Sequence, residues 1–380
     1  MRLSKGFEVE IYTGTPTGEV IGLSDRIVAG LDGFVREPDS RNVEYTTAPL
    51  HCYERLLCEL VQPRIRLRRY LAQLGNYTLV PGSTLSLEKS DRFFRSDPNN
   101  PYHTYIEQTY GTDVVTASIH INIGINDPDV LMRVCRVIRL EAPLFLALSA
   151  SSPFLKGELT EFDSSRWHMF PKTPAWVPLF NSHQHYIQWT EEQLALGTMQ
   201  NVRHLWSSVR PNGDRRPYSL NRLELRICDL VTDPIALLAI TALLEARIVQ
   251  VIRTTALEPL ILGAGTSAEL ATMADENEQK VARDSLSAQL MHWQTGQPVS
   301  AQDWLLQLYD EVYPIAKEYG YGCFLSPLKK ILREGNTAQK WRSLYYQGHT
   351  PAQILTQSIQ ALNEQEQRLE SSLCGSVAII

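Results

Sequence analysis

One short segment, residues 221–229, constrains the fold of this chain more than any other. Its sequence, NRLELRICD, alternates apolar and polar side chains with a period of two, which is typical of a β-strand with one face in a core. The core face carries Leu223, Leu225 and Ile227, and the other face carries Arg222, Glu224 and Arg226. Two arginines around a carboxylate suit a polyanion and its metal ion, but this segment alone favours a solvated face with a cross-strand ion pair.

Three further segments have the same period and help to decide between these interpretations. In residues 6–12, Glu8 and Glu10 share one face and lie about 7 Å apart along the predicted strand. Residues 41–47 place Asn42, Glu44 and Thr46 on one face, and residues 117–125 place Ser118, His120 and Asn122 on one face. The last segment alternates with isoleucines and is the clearest strand signal in the chain.

Together the four segments predict one sheet with an acidic polar face. The residues collected on that face are Glu8, Glu10, Glu44, His120 and Glu224, with Arg222 and Arg226. Clustering so many carboxylates costs energy unless divalent cations compensate the charge. Hard oxygen ligands with one imidazole suit Mg²⁺ or Mn²⁺, so the convergence favours a metal–nucleotide site over a solvated face.

Four motifs carry a resemblance to a known family. They are FVREPDSRNVEYTTAP at 34–49, GNYTLVPGS at 75–83, MQNVRHLW at 199–206 and RLELRICD at 222–229. With these motifs, the region from about Gly6 to Arg253 resembles the carboxylate–amine ligase family of glutamate–cysteine ligases in its cyanobacterial-type form. More distantly, such ligases are similar to glutamine synthetases, which implies an α+β fold. We expect a curved, largely antiparallel sheet with helices on its apolar face and a helical C-terminal flank.

The resemblance also implies roles for particular residues. One metal site would use Glu8, His120 and Glu224, and a second would use Glu10, Glu37 and Glu44. Arg226 would match the arginine that contacts the transferred phosphoryl group, with Arg222 assisting it. Glu8-Val9-Glu10 stands where the family commonly has Gly-Ile-Glu-Glu-Glu, so the division of Glu8 and Glu10 between the metals stays open.

The activity implied by the resemblance is ATP-dependent amide formation. The γ-carboxylate of L-glutamate would be activated as an acyl phosphate and captured by the amine of L-cysteine, the first step of glutathione synthesis. ATP would be the co-substrate and Mg²⁺, or Mn²⁺ in its place, the metal. Three alternatives remain on the residues alone: a glutamate ligase for another amine, a two-metal hydrolase, and a non-catalytic metal-binding module.

Several loops contain further candidates. Arg203 and Arg210, just before the 221–229 segment, could bind substrate carboxylates or phosphates, or could belong to a hydrogen-bonded surface loop that includes a turn at residues 211–214. Thr46, beside Glu44, is a third candidate for this role. A polar loop that contains Arg92, Arg95, Asp97 and residues 102–107 could also bind ligand, or its charges could simply be solvated. His183-Gln184-His185 has a spacing that could bind metal on a strand, but it lacks carboxylate neighbours and is interpreted as structural.

Composition limits the partners and the compartment. The formal net charge of −6 argues against nucleic-acid binding, no segment is expected to reach the apolar length of a membrane span, and the first residues lack a signal-peptide core. The six cysteines include no Cys-x-x-Cys pair, which fits a cytoplasmic protein with reduced thiols. Cys228 is placed on the polar face of its strand and is interpreted as structural. The oligomeric state cannot be inferred.

The remaining sequence predicts helices. One covers residues 53–74 with a kink at Pro63, and two begin at Pro128 and Pro234, each after a capping aspartate. After Thr254 we expect a polar stretch at 266–283 and then helices near 301–319 and 352–371. The chain is expected to form a single catalytic domain, with the sheet and active-site core in 1–253 and a helical flank in 254–380.

Overall fold

A computed structural model describes the backbone of residues 2–377 and the side chains of residues 2–372, so Cys374 lies outside the described side chains. The strands are β1 Lys5–Gly14, β2 Phe34–Arg36, β3 Asn42–Thr46, β4 Thr78–Val80, β5 Ile119–Gly124, β6 Phe154–Leu155, β7 Glu158–Leu159, β8 Val209–Asn212, β9 Arg222–Leu225, β10 Gln289–Met291 and β11 Pro298–Ser300. Seven of them form one antiparallel sheet in the order β2-β3-β1-β5-β9-β8, with β4 also paired to β1. β6–β7 and β10–β11 are separate two-stranded sheets.

The register of the central strands brings the acidic residues together. β1 pairs with β3 on one side and β5 on the other, so that Glu10 lies opposite Glu44 and Glu8 lies opposite His120. Glu224 follows one strand further along, opposite Asn122 of β5. Because side chains alternate between the two faces, Phe7, Val9 and Ile11 point into the core and are at most 2% exposed.

Helices account for most of the remaining chain. They are α1 Ser24–Gly30, α2 Tyr53–Leu74, α3 Pro101–Tyr110, α4 Pro128–Ser149, α5 Ser165–Met169, α6 His183–Ala195, α7 Pro234–Arg253, α8 Pro259–Leu262, α9 Ser267–Asp284, α10 Ala301–Glu318, α11 Gly322–Leu325, α12 Leu328–Glu334, α13 Thr337–Tyr346 and α14 Pro351–Val377. The predicted helix at 53–74 is confirmed and contains Pro63. α4 packs against β8, β9, α7 and α9, which places it on the apolar face of the sheet.

The starts of α4 and α7 are confirmed. Asp127 and Asp233 cap them, and each is followed by a proline at the first helical position. The expectation about apolar length was wrong, because α7 is long and apolar enough to cross a membrane by length and composition. Its most apolar stretch is 78% buried inside the protein, and a core helix surrounded by other elements is apolar on all sides.

The C-terminal region contains helices that the sequence pattern did not predict, and the longest of them is α9. The polar stretch at 266–283 is α9, which begins with a capping box between Thr266 and Glu269. A narrow apolar stripe that includes Leu270 and Val281 is buried, and the helix packs against α4. The helices predicted near 301–319 and 352–371 are α10 and α14. One cluster of buried apolar side chains extends from Leu3 to Ile359, which supports the proposal of a single catalytic domain.

Three smaller expectations also need correction. Residues 101–110 are helical rather than part of a loop, because the Asn100 side chain accepts a hydrogen bond from Tyr102 N and caps α3. Pro211 and Asn212 belong to β8 rather than to a turn. His183 and His185 open α6 instead of lying on a strand, and residues two apart on a helix do not face each other.

Candidate active site

Two groups of potential metal ligands lie on the polar face of the sheet. The His trio consists of Glu8, His120 and Glu224, and the Glu trio consists of Glu10, Glu37 and Glu44. Within each trio, one ligand atom from every residue lies within 4.8 Å of the others. Apart from the buried Glu224, all of these residues line one cavity of about 360 Å³. The structure thus brings together every residue that the sequence analysis proposed as a metal ligand.

His120 is oriented as a ligand by its neighbour Ser118. The Ser118 hydroxyl donates its proton to Glu10 Oε2 at 2.7 Å, because a carboxylate can only accept. Toward His120 Nε2, 3.2 Å away, Ser118 can therefore only accept, so the ring proton is on Nε2. The lone pair of Nδ1 then faces Glu8 Oε2 at 3.0 Å and Glu224 Oε1 at 3.6 Å. Three acceptors that converge in this way fit a cation.

Glu224 is fully buried and is held as an anion. Arg210 donates to it through Nε at 2.7 Å and Nη2 at 3.0 Å, Arg226 through Nη1 at 2.6 Å, and Asn212 through Nδ2 at 2.7 Å. Burial alone would raise the pKa of Glu224, but Arg210 and Arg226 hold it well below its usual value. The carboxylate is thus fixed in both charge and position.

The Glu trio has the opposite electrostatics. Burial, followed by the charges of Glu10 and Glu8, raises the pKa of Glu44 to about 7. Burial and the charges of Glu10 and Glu44 raise the pKa of Glu37 well above its ordinary value. Three carboxylates at this spacing resist full ionisation, and a divalent cation would relieve the repulsion and replace the retained proton.

This charge distribution predicts how stability depends on pH. Since folding raises the pKa of Glu44 from 4.5 to about 7, its contribution to the free energy of unfolding is present at pH 4 and is lost as the pH rises through 7. We expect the metal-free protein to lose up to about 3 kcal/mol by this route between pH 5 and 8. Urea unfolding in EDTA should show a smaller loss for Glu44→Gln. Parallel pH profiles for the two proteins would contradict the assignment.

Arg226 and Arg222 do not line the same cavity. Arg226 lines the cavity with the two trios, and its Nη1 also lies 3.4 Å from His120 Nδ1. Arg222 donates to Asn122 Oδ1 at 3.2 Å and lines a neighbouring cavity of about 400 Å³ with Thr46. Glu8 lines both cavities, so one ligand of the His trio borders each of them.

The two loop arginines also differ in their surroundings. Arg203 is exposed and lines the main cavity, as a ligand-binding residue would. Arg210 is buried, and beyond its two bonds to Glu224 its Nη1 donates to the backbone oxygens of Arg203 and Leu205. Its donors are thus engaged within the protein, which fits positioning of Glu224 better than direct substrate binding.

Arg166 is a cavity residue that the sequence analysis missed. It comes from α5, is 2% exposed, and donates to the backbone oxygens of Ile227 at 3.1 Å and Arg226 at 3.2 Å. Its Nη1 lies 3.7 Å from Asp229, a fully buried carboxylate that also accepts from Ser152 and Ser164. No local pattern around residue 166 marked it, and only the last residue of the RLELRICD motif pointed toward this network.

Aromatic residues form another wall of the cavity that was not predicted. Tyr102, Phe170 and Trp206 line the cavity, and the buried His204 ring lies between Tyr105 and Trp206. Burial and the nearby charge of Arg203 lower the pKa of His204, which keeps the imidazole neutral. An apolar wall opposite the carboxylates would exclude water from a bound ligand.

Cys228 was placed on the wrong face. β9 ends at Leu225, and the Cys228 thiol lies in the core, 3.9 Å from the backbone oxygen of Phe145. Burial raises the pKa of this thiol to about 12, so the nucleophilic thiolate is not populated at neutral pH. The interpretation of Cys228 as structural agrees with this environment.

Comparison with known proteins identifies the family. Residues 4–366 match the family model described as Glutamate-cysteine ligase family 2 (GCS2). Proteins named "Putative glutamate--cysteine ligase 2" are 29% identical over 61% of this chain in Gloeobacter violaceus and 27% identical over 60% in Sorangium cellulosum. The matched segments span 60% and 58% of the lengths of these relatives.

Solved structures agree on the fold. The chain superposes on the glutamate–cysteine ligase of Francisella tularensis in complex with AMP with a TM-score of 0.75 and 13% identity, covering 100% of this chain and 93% of that one. The superposition on a bifunctional glutathione synthetase from Pasteurella multocida has a TM-score of 0.73 and 14% identity. It covers 96% of this chain and 52% of that one. The predicted glutamine-synthetase-like fold is confirmed. With a family model matched along nearly its whole length, this chain belongs to glutamate–cysteine ligase family 2.

Proposed function

We propose that this protein is an ATP-dependent ligase that joins the γ-carboxylate of L-glutamate to the amine of L-cysteine through a γ-glutamyl phosphate. The observation that carries the proposal is the convergence of the two trios and Arg226 on one cavity. A metal-binding module would gain nothing from a cation beside its ligands, whereas phosphoryl transfer requires cationic groups around the transferred phosphate.

The residues present fit two divalent cations. The His trio would hold one and the Glu trio the other, with Glu8 and Glu10 divided between them as the geometry divides them. Oxygen donors with one imidazole suit Mg²⁺ or Mn²⁺. When bound, such ions would neutralise the charge that develops on the phosphate groups during transfer.

The protein's own side chains would orient the reactants. Arg226 would stabilise charge on the transferred phosphoryl group, since its planar fork matches phosphate oxygens and Glu224 fixes its position. Arg203, exposed on the wall of the same cavity, would bind a substrate carboxylate. Arg166, whose two terminal nitrogens are engaged by backbone oxygens and Asp229, would position Arg226 instead. Positioning and electrostatics would supply most of the rate acceleration.

The neighbouring cavity offers a place for the nucleoside part of ATP. It has a volume of about 400 Å³ and shares Glu8 with the main cavity, so a nucleotide there would have its phosphates beside the His trio. Thr46 and Arg222 line this cavity and would contact the nucleotide there. The AMP in the F. tularensis ligase structure supports an adenine nucleotide as the co-substrate.

The substrate pair can be tested with phosphate release from ATP across amino-acid pairs. Glutamate alone should give slow phosphate release, and L-cysteine should raise it most. L-2-Aminobutyrate, which replaces the thiol by a methyl of similar size, should be a weaker acceptor by at most about 10²-fold in kcat/KM. Ammonia should be poor because it offers no carboxylate for orientation. If ammonia or another amine were preferred, the protein would be a glutamate ligase with that amine, rather than cysteine, as its acceptor substrate. Turnover without ATP would favour the two-metal hydrolase.

A further inference from the structure

A third histidine, His103, lies in the wall of the main cavity and has no part in either trio. It comes from α3, is 7% exposed, and lines the same cavity as Glu37, Arg166 and Arg226. The position of the proton on this buried imidazole determines whether the ring can act on a ligand in the cavity.

The hydrogen bonds of Ser96 determine which nitrogen of His103 carries that proton. The Ser96 hydroxyl donates to the backbone oxygen of Glu37 at 2.5 Å, since a carbonyl can only accept. Toward His103 Nδ1, 3.4 Å away, Ser96 can therefore only accept. Nδ1 carries the hydrogen, and Nε2 keeps its lone pair.

The surroundings favour the neutral ring. Burial lowers the pKa of His103; the charge of Asp97 opposes this shift, while Arg36 and Arg95 add to it. A neutral imidazole with a free lone pair can accept a proton at neutral pH.

The other two histidines at the site have their ring nitrogens engaged. His120 Nε2 faces the Ser118 hydroxyl, and its Nδ1 faces the carboxylates of Glu8 and Glu224. His204 Nδ1 accepts from Gln200 N at 3.3 Å, and its Nε2 lies 3.1 Å from the Tyr102 hydroxyl. His103 is the histidine of this cavity whose Nε2 is available for a ligand.

We propose that His103 Nε2 is the base that removes a proton from the ammonium group of the acceptor substrate before it attacks the acyl phosphate. This inference rests on the proposed ligase function. An amino acid arrives with its α-amine protonated, and an ammonium group has no lone pair with which to attack carbon.

The step is balanced without further reactants. One proton passes from the ammonium nitrogen to Nε2, giving imidazolium and a neutral amine. The amine lone pair forms the C–N bond, the C–O bond to phosphate breaks, and its electron pair leaves with the phosphate. The leaving phosphate takes the second proton from nitrogen, and the imidazolium returns its proton to water.

The test compares two acceptors in a His103→Asn variant. The Asn side chain can still donate to Ser96 but offers no base at the position of Nε2. With L-cysteine we expect kcat to fall roughly 10²-fold, in the range usual for loss of a general base. With hydroxylamine, whose nitrogen is unprotonated at neutral pH, glutamyl hydroxamate formation should change less than about threefold. The His103→Asn variant should also release phosphate from ATP with glutamate alone at the wild-type rate.

Other outcomes separate the inference from the proposed function. Equal losses with both acceptors, or no loss with cysteine, would overturn the base assignment. A wild-type protein that releases no phosphate with glutamate and ATP would instead overturn the ligase function itself. The matched control is His168→Asn: His168 is an exposed histidine that stacks on Phe162 with ring centroids 3.6 Å apart, and its loss should leave both acceptors unaffected.

Discussion

Replacing Glu224 by Gln should reduce ligase turnover by about 10³-fold, at the upper end of what the loss of one electrostatic group costs. A neutral amide is a weak ligand for Mg²⁺, and it would also release Arg226 from the bond of 2.6 Å that fixes its position. Steady-state phosphate release over a range of Mg²⁺ concentrations is the measurement. Excess Mg²⁺ should not restore turnover, because the arginine would remain misplaced.

The same substitution should destabilise the fold, so it needs a control. Glu224 is buried against Arg210 and Arg226, and breaking such a pair costs about 3–5 kcal/mol by leaving charge uncompensated. Glu141 is equally buried and is held by Arg247 through two hydrogen bonds, on α4 away from the cavity. Glu141→Gln should lower the melting temperature similarly while its folded fraction keeps normal kcat. Comparable losses of kcat in both variants would assign Glu224 a purely structural role.

Arg226→Ala should lower kcat by roughly 10²–10³-fold, the cost of removing one preorganised donor. Arg226→Lys should recover only part of this loss, because lysine keeps the charge but lacks the planar fork. The metal requirement should change less than turnover, since all three ligands of the His trio remain. Normal turnover of the alanine variant would exclude Arg226 from phosphoryl transfer.

Arg222→Ala is the natural comparison for this experiment. Arg222 begins β9, the strand that Arg226 directly follows, but it lines the neighbouring cavity with Thr46. Its loss should raise the KM for ATP more than it lowers kcat, because nucleotide binding is involved rather than the transferred group. If Arg222→Ala mainly lowered kcat and Arg226→Ala mainly raised the KM for ATP, the roles assigned to the two arginines would have to be exchanged.

Period-two alternation was sufficient to predict four strands of the central sheet and five of the six residues of the two trios. Each strand hides one face, so the sequence distinguishes core positions such as Val9 from positions on the polar face such as Glu8 without knowledge of neighbours. The resemblance added Glu37, whose place before β3 follows no alternation. The pairing of Glu8 with His120 could not be derived, because strand order depends on contacts distant in sequence.

The errors have physical causes as well. α9 appeared as a polar stretch because only one narrow stripe of it meets α4, and α7 exceeded the expected apolar length because it is surrounded by the core. Arg166 was missed because it gains its place through Ile227, which is 61 residues away along the chain. His103 lies within the predicted polar loop, but its particular role was not predicted because that role depends on Ser96 and on the folded cavity. Side-chain chemistry that depends on such contacts is specified by the fold, not by local pattern.

The order of the strands along the chain has a consequence for biosynthesis. The His trio draws its ligands from residues 8, 120 and 224, so the first and last are separated by more than half of the chain. A nascent polypeptide that has not yet emerged through β9 holds no complete His trio, however much Mg²⁺ surrounds the ribosome, although its Glu trio residues have all been made. A cation at the His trio therefore cannot nucleate folding of the central sheet; it would bind only after strands made early and late have paired, and its binding would mark that assembly is complete.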